Sequence, residues 1–419
     1  SPTTTRQTRQ LQFQIAAGLN WQTRKGDVSG AFLQGREYPG ELLCIPCEEI
    51  CLAMGLPPNS VTRVKRACYG LVDAPLEWYR SICDFFGRIG LRRCWADPCS
   101  WILVKENQLH GIISGHVDDF LFSGSDEDPV WIKTIEQIKQ QYRWGDWEQD
   151  RFTQCGVQVE RDQKGGYALS QERYVEGIKH INIRAHRRKE RHAETDDFEK
   201  SQLRALLGAI SWHAQQVAPH FSAEVGLMLS EVNKSCVDTL MRANHLLDQV
   251  KGMKDHKLLI HSIPVEEIGL FAWADAASQN RIDGGSTQGI CIGAASKRLL
   301  QGQCTEVSLI AWHSSKISRV CSSPGASEAV AAVNGEDLLF FARFQLSELL
   351  GYPVNIRNVH ETVNHISGCV ITDSRNVYDK LSGDVVVAKG AERRTDIDLM
   401  RLKESQVINE VIQIGRAHV

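Results

Sequence analysis

Asp118 and Asp119 stand side by side in GHVDDFLFSG, between two apolar runs, and Asp27 stands upstream in DVSGAFLQG. Adjacent carboxylates repel by roughly 1 kcal/mol in bulk water and by several at an effective dielectric of ~20. A chain that half-buries such a pair therefore usually supplies a cation. Oxygen-only ligands favour a hard ion, Mg²⁺ or Mn²⁺. The commoner use of an Asp-Asp pair is a solvated turn. Here Ile112 and Ile113 precede the pair and Phe120, Leu121 and Phe122 follow it, which predicts a hairpin whose strands enter a core. Two acids at that turn and a third at another strand end describe a metal site.

A second set of acids lies downstream. Asp275 ends the apolar run GLFAWADAAS, Glu328 is read at the start of a helix capped by Ser327, and Asp373 falls where CVITDSRNVYDKL turns from strand to helix. Each alone is more commonly a cap or a turn former. Their order of strand, helix and strand is what sets them apart.

The elements that must position these residues are legible from periodicity. Between the two acidic sets, Leu203, Leu206, Leu207 and Ile210 recur at helical spacing, as do Leu240, Ala243, Leu246 and Leu247.

An ordered series of segments then resembles one family. DVSGAFLQG, RACYGLVDAPLEWY, DPCSWI, HVDDFLFSG, FTQCGVQVER and LSQERYVEGI occur in the order and spacing of the reverse transcriptases of copia-type long-terminal-repeat retrotransposons. The later acids, with GGSTQG at 284–289 and SSPGASEA at 322–329, resemble the ribonuclease H domain of the same elements. The resemblance implies an α+β chain: a reverse-transcriptase palm (1–183), whose antiparallel sheet carries the three aspartates and is backed by helices from segments such as 76–90 and 131–143, a basic linker and helical connection (184–262), and a mixed α/β ribonuclease H-like domain (263–412). It makes Asp27, Asp118 and Asp119 the polymerase carboxylates, with Asp27 and Asp118 as direct metal ligands, and sets His116, Phe32 and Tyr69 beside the incoming nucleotide. Asp275, Glu328 and Asp373 become the carboxylates of the nuclease. Both reactions would use two Mg²⁺ or Mn²⁺ ions to activate the attacking oxygen and stabilise the leaving group. The implied partners are an RNA template, a DNA primer, their hybrid, deoxynucleoside triphosphates and the rest of a Pol polyprotein, within a cytoplasmic virus-like particle or the nucleus.

The chain departs from the family pattern at several positions. His116 replaces a Tyr, Val72 and Asp73 replace Lys-Gln, and Ala218, Pro219 and His220 replace Arg-Pro-Asp. An acid such as Asp73 is unfavourable beside a polyanion unless it faces away. The family's fourth nuclease carboxylate would lie beyond the segment RTDIDLMRLKES, in which Asp396 and Asp398 read as first-turn helix acids. Residues 413–419, QIGRAHV, have the look of a translated sequencing adapter, and Ser1 of a cut end. These departures define an alternative: a catalytically dead remnant that at most binds nucleic acid.

Composition sets outer bounds. The 419 residues carry a net charge of −3, so charge alone does not indicate a nucleic-acid binder, and no long apolar run predicts a membrane span. Local basic groups, Arg63, Lys65 and Arg66, and then Arg184, Arg187, Arg188, Lys189 and Arg191, could meet a phosphate backbone, although acids follow the second group at once. Thirteen irregularly spaced cysteines indicate free thiols. Cys44, Cys47 and Cys51 lack a second knuckle for zinc, and HETVNH at 360–365 misses the spacing of a zinc-protease helix.

Overall fold

The computed structural model describes residues 2–382, 393–408 and 412–416. The chain divides into two compact units: Ser1–Thr8 with Trp21–Gln149, and Arg9–Asn20 with Asp150–Val419. The division at 149/150 falls inside the span 1–183 read as the polymerase.

The first unit is built on a six-stranded sheet in the order Arg92–Arg93, Ser100–Lys105, Gln108–His116, Asp119–Gly124, Gln22–Val28 and Trp144–Gln149. All its pairings are antiparallel. Helices Ala74–Arg88 and Pro129–Gln141 bury their apolar stripes in the same core as the sheet, two residues earlier at each end than the palm resemblance implies. That core is aromatic: Trp78, Phe85, Phe86, Trp101, Phe120, Phe122 and Trp131. The sheet admits Trp131 because the cross-strand pair Gly111 and Gly124 has no side chains. A Cβ at either position would lie 2.2 or 2.3 Å from the indole. The last glycine of HVDDFLFSG is thus a packing requirement. DPCSWI also has a structural use: Asp97 is fully buried and accepts from the amides of Thr5 and Cys99, each at 2.9 Å.

In the second unit, helices Asp197–Gln216 and Val237–Gly252 form at the two predicted periodic stretches. Leu203, Leu207, Ile210, Leu240, Ala243, Leu246 and Leu247 are fully buried in one cluster. Arg187 is tied to both Glu199 and Glu190, and Arg191 approaches Asp238, so much of the second basic group is paired internally. A four-stranded antiparallel sheet joins Arg151–Gln154, Val157–Arg161, Tyr167–Ser170 and Leu258–Ile260.

The same unit then forms a mixed five-stranded sheet, ordered Val307–Lys316, Thr287–Ser296, Ile268–Ala277, Ser367–Thr372 and Ile412–Arg416. The first three pair antiparallel, and the last two run parallel to Ile268–Ala277. Helix Pro324–Leu349 crosses this sheet, with Gly335 so close to it that a Cβ there would sit 3.2 Å from that of Ala274. The reading of an α+β chain with an antiparallel palm and a mixed sheet therefore holds. Residues 417–419 of the suspected adapter tail lie outside the described residues, whereas residues 412–416 pair with Ser367–Thr372. No helix among the described residues is long and apolar enough to cross a membrane.

Candidate functional site

In the first unit, strands Gln108–His116 and Asp119–Gly124 form the expected hairpin, with Val117 and Asp118 as its two-residue turn. Val117 has φ 64°. A β-branched residue in this region is strained by roughly 1–3 kcal/mol, and such positions cluster at functional sites. Two bonds hold the turn. The indole Nε1–H of Trp78 donates to the Val117 carbonyl at 2.6 Å, and the Val28 amide donates to the Asp118 carbonyl at 2.9 Å. Trp78 lies in the PLEWY segment and was not singled out from sequence. Its only signal there was a tryptophan on the buried face of an amphipathic helix.

The register places Asp27 opposite Asp119, and directly paired residues share a sheet face. Lys25, two residues before Asp27, joins that face, while Gly26 and Val28 turn toward the aromatic core. All three acids are half-buried. Burial raises the Asp27 carboxyl above its usual range, the charge of Asp118 raises it further, and Lys25 opposes both. Burial works against the charge on Lys25, yet Asp119, Glu148 and Asp27 together raise its pKa. The expectation of a converged three-acid cluster needs one correction. Among the described residues, Asp27, Asp118 and Asp119 do not bring one oxygen each within 4.8 Å of one another. Asp118 occupies the turn and Asp119 the first strand position.

Of the residues expected beside a nucleotide, Phe32 and Tyr69 make ring contact at 4.9 Å, and Tyr69 is exposed. His116 ends its strand directly opposite Asp119. The acid at Asp73 is satisfied within the protein, because the Tyr38 hydroxyl donates to it at 2.6 Å. Beside it, Glu77 is buried between Arg36 and Arg80.

In the second unit, Asp275, Glu328 and Asp373 each bring one oxygen within 4.8 Å of the others, the one such group of three or more among the described residues. The topology accounts for the meeting. Parallel neighbours pair Trp273 with Ile371, and two residues further along the same direction lie Asp275 and Asp373. Glu328 arrives from helix Pro324–Leu349, but in its second turn. The cap is Ser323, whose hydroxyl accepts from the Ala326 amide at 3.1 Å, with Pro324 at the first helical position. Ser327, expected as the cap, lies inside the helix and donates to the Pro324 carbonyl at 2.7 Å. Both serines precede an acid-bearing apolar run, so only Pro324 could have separated them.

Burial, then the charges of Asp275 and Asp373, push the Glu328 carboxyl up to about 7, while a bond from the Ala276 amide works the other way. Its Oε2 is buried without a hydrogen-bond partner among the described residues. An all-oxygen set with mutual repulsion and an orphaned buried oxygen fits a hard divalent cation. Asp396 and Asp398 lie apart from it. Asp396, in the first turn of helix Arg393–Ile408, is buried and bonded to Lys380. Asp398, in the second turn rather than the first, is bonded to Arg319. In HETVNH, His360 packs on Phe340 and His365 stacks on Tyr352. His220, which stands where the family pattern has Asp, rests against Phe221 and His256.

The chain thus presents an acid-bearing hairpin in an antiparallel sheet and, in the other unit, three acids meeting on a mixed sheet. Residues 1–187 match the family described as reverse transcriptase (RNA-dependent DNA polymerase). It is similar to the retrovirus-related Pol polyprotein from transposon RE1 of Arabidopsis thaliana, 28% identical over 38% of this chain and 10% of the polyprotein. It is also similar to that from transposon TNT 1-94 of Nicotiana tabacum, 25% identical over 39% of this chain and 12% of the polyprotein. These matches bear out the copia-type resemblance, and they span only about a tenth of those polyproteins. Among solved structures, the foamy viral protease-reverse transcriptase in complex with RNA/DNA hybrid is 13% identical, with 95% of this chain and 44% of that chain covered and a TM-score of 0.51. The same viral enzyme in complex with dsDNA gives 13%, 95%, 68% and 0.52.

Proposed function

We propose that the chain is an RNA-directed DNA polymerase of a copia-type Pol polyprotein, joined to a nuclease unit that cuts the RNA strand of an RNA–DNA hybrid. The observation that carries this reading is the placement of Asp27 opposite Asp119 beside the turn at Asp118, within the reverse transcriptase match. Asp27 and Asp118 are the residues to hold a divalent cation in the polymerase unit, and Asp275, Glu328 and Asp373 those in the nuclease unit. Bound there, such ions would lower the pKa of the attacking oxygen and neutralise charge on the phosphates. The protein's share is positioning. Trp78 holds the Val117–Asp118 turn at one height, Lys25 offsets the negative charge of Asp27 and Asp119, and the exposed Tyr69 ring against Phe32 offers a surface for a nucleotide. Glu328, with its raised pKa, is the carboxyl most in need of a cation's charge. The bound hybrid and duplex of the foamy viral enzyme support nucleic acid as the substrate class.

Two variants test the pairing of units with activities. Asp118→Asn should abolish extension of a primed template and spare hybrid cleavage, and Asp275→Asn should do the reverse. If either variant removed both activities or neither, the assignment would be wrong. Absence of both from the unmodified chain would instead favour the catalytically dead remnant.

A further inference from the structure

Beside the nuclease acids, a cleft of about 230 Å³ opens between helix Ser222–Glu231 and the face of the mixed sheet that carries Asp275. Its floor is a row across three strands. Asp275 pairs with Gly289, and Gly289 pairs with Ser314, so the three share one face. Gly289 has no side chain, and a Cβ built there meets nothing within 4 Å. The sheet thus has a notch one side chain wide directly beside an acid of the metal-binding group. Ser222 of the helix and Thr287 of the sheet are both among the residues that line this cleft. Neither Ser222 Oγ nor Thr287 Oγ1 meets a hydrogen-bond partner among the described residues, and Thr287 is only 7% exposed. Buried hydroxyls are nearly always paired, so two orphans on one cleft call for a ligand or water. Pro219, Leu227 and Trp312 give the remaining surface an apolar character suited to a sugar or base face.

Resting on the nuclease reading above, we propose that this cleft binds one nucleotide of the hybrid next to the scissile position. Its sugar edge would meet Ser222 and Thr287, and its body would fill the notch at Gly289. Helix Ser222–Glu231, which lies outside the nuclease sheet, is then a wall of the nuclease's substrate site. Ser222 and Thr287 are positioning residues whose loss weakens substrate binding and leaves the chemistry at Asp275, Glu328 and Asp373 intact.

The test is steady-state cleavage of a labelled RNA–DNA hybrid by the full chain, with KM and kcat resolved. Gly289→Leu, which fills the notch, should raise KM about tenfold at unchanged kcat, and Ser222→Ala combined with Thr287→Val should raise it several-fold. If Gly289→Leu loses the native circular dichroism spectrum, the double variant decides. A KM within twofold of the unmodified chain in the folded variants overturns the proposal. If the unmodified chain cleaves no better than Asp275→Asn, the nuclease reading has failed and the cleft assignment falls with it. That result differs from cleavage with an unaltered KM, which removes the cleft assignment alone.

Discussion

Glu328→Gln should stabilise the protein without divalent cation and remove most of the stability that cation adds. The Glu328 carboxyl is pushed from its usual 4.5 up to about 7, first by burial and then by Asp275 and Asp373. That rise corresponds to at most about 3 kcal/mol. Glu328 is only half-buried, and solvent screening brings the figure to about 1–2 kcal/mol. The sign follows from proton binding. Between pH 4.5 and about 7 the folded state holds more protons than the unfolded state, so stability falls as pH rises through this window. Above it the full penalty is present. Glutamine keeps the shape and removes the charge, so urea unfolding at pH 8 with chelator should show a gain of about 1–2 kcal/mol. Adding Mg²⁺ should stabilise the unmodified chain in proportion to ligand occupancy and do little for the variant. Equal or lower stability of Glu328→Gln in chelator would refute the claim that these three acids repel at close range.

Other outcomes follow from the packing and the turn. Trp78→Phe keeps the ring but removes the bond to Val117, which should cost about 1–3 kcal/mol and lower primer extension more than tenfold, measured by unfolding and single-turnover extension. Gly124→Val drives a side chain into Trp131 and should destabilise the protein by about 1–3 kcal/mol or more in urea melts, with unchanged stability counting against the packing described. His213 is buried and its pKa is lowered to about 4, first by burial and then by His220 and His256. Its contribution is complete above pH 6.5 and is lost as pH falls toward 4, by about 2–3 kcal/mol in all, and His213→Gln should flatten that acid limb of the stability curve. Ser323→Ala should cost about 1 kcal/mol by uncapping the helix that delivers Glu328, whereas Ser327→Ala should cost less.

Much of this was legible because the signals were local. The hairpin around Asp118 and Asp119 follows from apolar runs flanking a polar turn, and the helices at 197–216 and 237–252 from leucines at helical spacing. Asp275, Glu328 and Asp373 could be picked out as strand, helix and strand acids, but their meeting depends on parallel register and on where the helix crosses the sheet. Neither is encoded near the acids themselves. The role of Trp78 was hidden for the same reason: its partner carbonyl lies 39 residues away. The cap of helix Pro324–Leu349 was misplaced by one turn because two serines compete for the role, and the proline decided it. The basic group around Arg187 shows the reverse case, a sequence feature suggestive of nucleic acid in which Arg187 is tied to acids within the fold.

We propose that the half-buried aspartates at the hairpin serve nucleotidyl transfer. The most direct test is incorporation of labelled deoxynucleotides on a primed RNA template with Mg²⁺, comparing this chain with Asp118→Asn. Template-dependent incorporation that falls to background in the variant is the expected result. Incorporation by Asp118→Asn at the rate of the unmodified chain, or none by either, would contradict it.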